Sequence, residues 1–142
     1  MRIFSTLKKT LMDYRLQKNE RLHSKKSIKE LFDKGSSFFL YPFKVLHLAL
    51  DGQHAETNQV LFSVSKRKVK KAVHRNYIKR RIKEAYRLNK TLIASPEGKN
   101  RIAFIYVSSE LEDFHTIQNK VQRILKKIET LNHSSHIEQN DK

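Results

Sequence analysis

The sequence predicts an α+β sandwich in which helices pack on a small sheet. Three observations carry that expectation. Stretches near residues 36–50, 60–65 and 101–107 have the alternating or continuous apolar character of strands. Three other stretches place apolar residues at helical spacing. The two kinds are interleaved, in the order helix, strand, strand, helix, strand, helix, which puts them around a common core. At 142 residues, 38% of them hydrophobic and 31% charged, the chain suits one domain with a single modest core.

Residues 1–20 show no clean period, with Ile3, Phe4, Leu7, Leu11, Met12, Tyr14 and Leu16 scattered among basic residues. We read them as an N-terminal extension, a flexible arm or a short helix, because order is weakest at chain ends. Ser24 is a candidate N-cap for a first helix bearing Ile28, Leu31 and Phe32 on one side. Gly35 falls at its C′ position, where glycine ordinarily adopts a left-handed conformation.

Ser36 to Leu50 reads as a strand broken or bent at Pro42, which has no N–H to offer a ladder. In it Phe43, Val45 and Ala49 alternate with Lys44, Leu46, Leu48 and Leu50, so both faces are partly apolar. Asp51 to Asn58 is a polar connection opening on Asp-Gly, a turn signal that predicts antiparallel pairing of the strands on either side. In the next strand Val60, Phe62 and Val64 point one way, and Leu61, Ser63 and Ser65 the other.

A basic helix then runs to about Asn89, and Ile78, Ile82 and Ala85 make the side that can pack on a sheet. Ser95-Pro96-Glu97-Gly98 marks a loop. Arg101 to Val107 is apolar on both sides, as in a strand buried within a sheet. A capping box, Ser109-x-x-Glu112, opens a last helix with Phe114, Ile117, Val121, Ile124, Leu125, Ile128 and Leu131 at helical period. Residues 21–131 therefore form the domain, and 132–142 a disordered tail.

Charge is concentrated on the second helix and the turn before it. The chain carries a formal +16, and between Lys66 and Lys90 there are twelve Lys or Arg against one acid, Glu84. Arg75, Lys79, Lys83 and Arg87 recur every four residues as one drifting stripe, with Asn76 and Arg80 beside it. Like charges so spaced repel by a few tenths of a kcal/mol per pair, a repulsion that a polyanion would remove. The balance implies a nucleic acid or an acidic surface as partner. No window approaches the eighteen or so apolar residues of a membrane span, and Lys8, Lys9 and Asp13 come too early for a signal-peptide core of about 7 to 15 residues. We expect a cytoplasmic protein. The absence of Cys fits a reducing compartment and excludes disulfides, Cys-based zinc sites and a thiol nucleophile.

The run S-x-S-K-x-x-x-x-x-A-V-x-R-N-x-I-K-R-x-I-x-E-A-Y-R, from Ser63 to Arg87, resembles the signature of the protein subunit of bacterial ribonuclease P. That ribonucleoprotein trims the 5′ leader from precursor tRNA. Ser63, Ser65, Lys66, Ala72, Val73, Arg75, Asn76, Ile78, Lys79, Arg80, Ile82, Glu84, Ala85 and Arg87 fall where the family pattern puts them. Two features depart from it: Tyr77 stands where the family usually has Arg, and the turn before Ala72 lacks the common glycine and is one residue longer.

The resemblance implies a mixed sheet in which the strand ending near Lys66 and the strand near Arg101 are parallel. The basic helix would join them left-handedly, as in the second domain of ribosomal protein S5, although most such crossovers are right-handed. It also implies that ribonuclease P RNA and precursor tRNA are the partners, with no membrane and no obligate protein partner. Catalytic Mg²⁺ would be held by the RNA subunit, with no cofactor bound by the protein itself.

The residues agree that the chain catalyses nothing alone. A metal-dependent nuclease needs clustered carboxylates, and the one close group, Glu110, Glu112 and Asp113, is explained by its place at a helix start. His23, His47, His54, His74, His115, His133 and His136 lack metal-ligand spacing, and no glycine-rich phosphate loop is present. Ser65, Lys66, Arg67, Lys68, Lys70, Lys71, Arg75, Asn76, Lys79, Arg80, Lys83 and Arg87 resemble the family's RNA-contact region, where guanidinium forks and Lys charges suit phosphates. Arg81 lies on the apolar side of the stripe. The resemblance further implies a cleft for the single-stranded leader, formed by the first helix and the sheet, with Ile28 and Phe32 at matching positions; Phe39 and Phe43 are further candidates to contact bases, for which, as strand aromatics, a place in the core is the alternative. A ribosomal or general RNA-binding protein would share the charge but not the ordered motif. An autonomous endoribonuclease would cleave without an RNA subunit.

Overall fold

The computed structural model describes residues 16–50, 57–93 and 99–140, with side chains described to residue 132. Helices α1 (Lys25–Lys34), α2 (Ala72–Asn89) and α3 (Phe114–Asn140) accompany strands β1 (Ser36–Leu40), β2 (Phe43–Leu50), β3 (Gln59–Val64) and β4 (Lys99–Tyr106). The strands form one sheet in the order β1-β2-β4-β3. The Asp51-Gly52 turn, the loop at residues 95–98 and most of the N-terminal extension lie outside the described residues.

Ser24 caps α1 as expected, its hydroxyl accepting from the Ser27 amide. The helix ends on Gly35 with φ −71° and extended backbone, so the glycine is not there for a left-handed turn. It is there for space. A Cβ at this position would press on the Leu31 carbonyl and lie 3.0 Å from Leu31 Cδ1 and 3.1 Å from the His47 carbonyl on β2. Gly35→Ala is expected to lower stability by about 1–3 kcal/mol as α1 is pushed from the sheet. Urea unfolding measures this, and an unchanged midpoint would show that the helix end yields freely.

The strand expected over 36–50, broken or bent at Pro42, is broken there into two strands. They form a hairpin through the cis Tyr41–Pro42 bond, with Phe38 opposite Val45 and Leu40 opposite Phe43. The predicted antiparallel pairing of β2 with β3 also fails. β4 lies between them, antiparallel to β2 (Val45 opposite Phe104) and parallel to β3 (Phe62 opposite Phe104). β4 is apolar on both faces and is buried most when flanked on both edges, whereas a strand with a polar side tolerates the rim. The parallel β3–β4 pair makes α2 a crossover helix, as the family resemblance implies. Part of the outer edge of β3 is covered by the N-terminal segment, where the Leu22 amide donates to the Val60 carbonyl.

Strand alternation separates two apolar layers. On one face Phe43, Val45, Val60, Val64, Ile102, Phe104 and Tyr106 meet Ile78, Ile82, Ala85 and Tyr86 of α2 and Ile117, Val121, Ile124, Leu125 and Ile128 of α3. On the other, Leu46 and Ala103 pack with Leu22 and Leu31, flanked by Ile28, Leu48, Leu61 and Ile105, beneath α1.

Three boundaries differ from those expected. Leu16 is in the main core, and Glu20 pairs with Lys90 at 3.0 Å, each side chain about a tenth exposed, so residues 16–20 belong to the domain. The Ser109/Glu112 box does not start α3. The Tyr106 hydroxyl donates to the Glu110 carbonyl and accepts from the Glu112 amide, holding that segment as a loop. Asp113 caps instead, accepting from the Thr116 amide at 2.8 Å. Helical backbone then continues through Asn140 rather than ending at Leu131. The apolar stripe ends there, but no Gly or Pro follows to stop the helix.

Candidate nucleic-acid interface

Burial of Ile78, Ile82, Ala85 and Tyr86 turns the opposite side of α2 to solvent. Lys79 and Arg80 are exposed there, and Lys83 and Arg87 are half-buried. Arg87 is engaged by Glu84, at 2.5 and 3.0 Å, and its hydrogen bond holds the Glu84 carboxyl below the ordinary carboxylate range. Lys79, Arg80 and Lys83 form no ion pair among the described residues. With Asn76 and Phe62 they line a groove between α2 and the edge strand β3.

Two side chains hold the turn before α2. Val69 is a buried plug, 3% exposed, its amide bonded to the Ser65 carbonyl. Arg75 donates through Nη1 to the carbonyls of Val69 (2.9 Å) and Lys70 (2.8 Å). Arg75 therefore braces the turn as well as carrying charge. Ser65 is half-buried, its Oγ accepting from the Lys68 amide. Lys66, Arg67, Lys68, Lys70 and Lys71 project from this braced turn, all exposed, and Asn76 is exposed one step along the helix.

The expected leader-cleft residues do not all share a face. Phe32 and Phe39 are 52% and 61% exposed, and Ile28 on α1 is partly buried against the sheet. Phe39 lies in one row across the sheet with Lys44, Ile105 and Ser63. Phe43 is 0% exposed and points into the α2/α3 core, so it cannot contact a base and leaves the candidate set. The reason is strand parity: Leu40 and Phe43 are paired across the hairpin and face the core together, while Phe39 and Lys44 face away. The sequence reading missed Tyr41, 54% exposed, whose ring lies 6.4 Å from that of Phe39 and whose hydroxyl donates to Ser108 Oγ. An aromatic beside the turn-forming Pro42, two positions from Phe39, was the available signal. Arg101 fixes α1 over this face by donating to Glu30 and to Gln59, each at 3.2 Å.

Among the described residues, no group of three or more His, Cys, Asp or Glu could hold a metal ion. No helix among them is long and apolar enough to cross a membrane.

Comparison with known proteins matches the Ribonuclease P family model to residues 16–129. A ribonuclease P protein component from Porphyromonas gingivalis is 38% identical over 117 residues, 80% of this chain and 85% of its own. One from Petrotoga mobilis is 32% identical over 120 residues, 80% and 94% respectively. Among solved structures, the Staphylococcus aureus RNase P protein aligns with a TM-score of 0.64 at 25% identity, covering 77% of this chain and 94% of that one. The Thermotoga maritima RNase P protein gives 0.61 at 29% identity, covering 76% and 96%.

Proposed function

The chain belongs to the ribonuclease P protein family, the non-catalytic protein component of an RNA-containing endoribonuclease, and we propose a specific division of labour for its two surfaces. The α2 stripe and the braced turn, residues 65–71, bind ribonuclease P RNA. The open sheet face beside α1, with Phe32, Phe39 and Tyr41, receives the 5′ leader of precursor tRNA. The cut that removes the leader is made by the RNA subunit with Mg²⁺, in the cytoplasm.

The observation that carries this reading is that Lys79, Arg80 and Lys83 on α2 form no ion pair among the described residues, while Phe32 and Phe39 are exposed on the α1 side of the sheet. Bringing a polyanionic substrate onto a polyanionic ribozyme is electrostatically unfavourable. A protein of charge +16 between them lowers that repulsion and releases condensed counterions. Aromatic faces suit unpaired bases, which the leader presents.

Precursor-tRNA cleavage by a bacterial ribonuclease P RNA, at a few millimolar Mg²⁺ with and without the protein, tests the proposal. The protein is expected to restore accurate 5′ maturation at Mg²⁺ levels where the RNA alone is slow. No stimulation with RNA from its own source would sink the reading, and cleavage by protein alone would reassign the chemistry to the chain.

A further inference from the structure

Tyr77 and Arg81 lie one turn apart on α2, outside the stripe already described. The Arg81 guanidinium carbon sits 4.0 Å from the Tyr77 ring centroid and Nη2 donates to the Tyr77 hydroxyl, so one face of the ring is covered by a cation. Tyr77 remains 42% exposed. Arg81 forms no ion pair among the described residues. Beside the pair, between α2 and the start of α3, is a groove lined by Arg80, Arg81, Lys83, Glu84, Arg87 and the half-buried ring of Phe114.

We propose that Tyr77, Arg81 and this groove form a stacking site for one unpaired nucleotide of the RNA subunit. The base lies on the open face of Tyr77, and its phosphate is met by Arg81, Arg80 and Lys83. An aromatic ring backed by a guanidinium is a platform for any base, while cations around it neutralise the backbone. Only an unpaired nucleotide offers a free base face. The groove is on the α2/α3 side of the sheet, whereas the Phe32 and Phe39 face is on the α1 side, so its occupant belongs to the RNA subunit and not to a leader in the cleft. This inference rests on the reading that α2 binds that RNA.

The test is affinity for a transcript of bacterial ribonuclease P RNA, titrated at several salt concentrations, with circular dichroism to verify folding. Tyr77→Ala is expected to weaken binding roughly 5- to 150-fold with an unchanged salt slope, the signature of lost stacking. Tyr77→Phe, which keeps the ring, stays within about twofold of wild type. Arg81→Ala is expected to lower affinity and to reduce the salt slope by about 0.7–0.9. Wild-type affinity in Tyr77→Ala overturns the stacking site while leaving the α2 reading in place. Failure of the wild type to bind the transcript overturns that reading itself. If Tyr77→Ala binds the transcript normally but the assembled enzyme loses preference for precursor over mature tRNA, the nucleotide is the substrate's and the assignment is wrong.

Discussion

Phe104→Ala is expected to remove about 3–5 kcal/mol from the free energy of unfolding, a large part of the 5–15 kcal/mol typical of such a domain. Phe104 is 0% exposed at the middle of β4. Its ring is enclosed by Phe43 at 6.1 Å, Phe62 at 5.9 Å and Tyr86 at 6.0 Å, from β2, β3 and α2. These neighbours are held by separate elements, so they cannot close together over the space left behind. The loss therefore includes both transfer and cavity contributions, along with aromatic contacts worth about 0.5–1.5 kcal/mol each. Since Tyr86 seats α2, the same change should displace the basic stripe and weaken RNA binding before global unfolding. Urea titration followed by circular dichroism measures the loss. A change below about 1 kcal/mol would show that the core repacks around alanine.

The triple variant Lys79→Ala/Arg80→Ala/Lys83→Ala is expected to lower affinity for ribonuclease P RNA by about two to three orders of magnitude near 0.1 M salt, with little change in stability. Lys79 and Arg80 are exposed, Lys83 is half-buried, and none forms an ion pair among the described residues, so their removal breaks no internal salt bridge. It also relieves like-charge repulsion on α2. Each lost phosphate contact should flatten the dependence of log K on log salt by about 0.7–0.9. The salt slope separates lost phosphate contacts from a general loss of structure. Wild-type affinity and slope would place the RNA elsewhere on the molecule. Arg75 is omitted from this variant because its hydrogen bonds to Val69 and Lys70 would confound folding with binding.

What was legible in the sequence was whatever depends on near neighbours. The stripe from Arg75 to Arg87 follows from helical period alone, as do the buried residues Ile78, Ile82 and Ala85. The Ser24 cap, the apolar β4 and the buried positions of α3 from Ile117 to Ile128 are local in the same way. The ordered motif from Ser63 to Arg87 identified the family because its spacing is contained in one strand end, one turn and one helix.

The rest required the chain to meet itself at a distance. Periodicity says that two faces of β2 seek cover, but not that β4 will enter between β2 and β3, because both arrangements satisfy the local pattern. Whether an aromatic near Pro42 faces core or solvent depends on hairpin register, which buries Phe43 and exposes Phe39. Gly35 must clear the His47 carbonyl on a neighbouring strand as well as the Leu31 carbonyl of its own helix, and Glu20 finds Lys90 from 70 residues away. The sequence by itself determined where helix and strand occur, though not every boundary, along with the charged helix and the family. Tertiary structure decided the strand order and which of the strand and hairpin aromatics remain at the surface, because their exposure depends on what packs above them, and that neighbour comes from elsewhere in the chain.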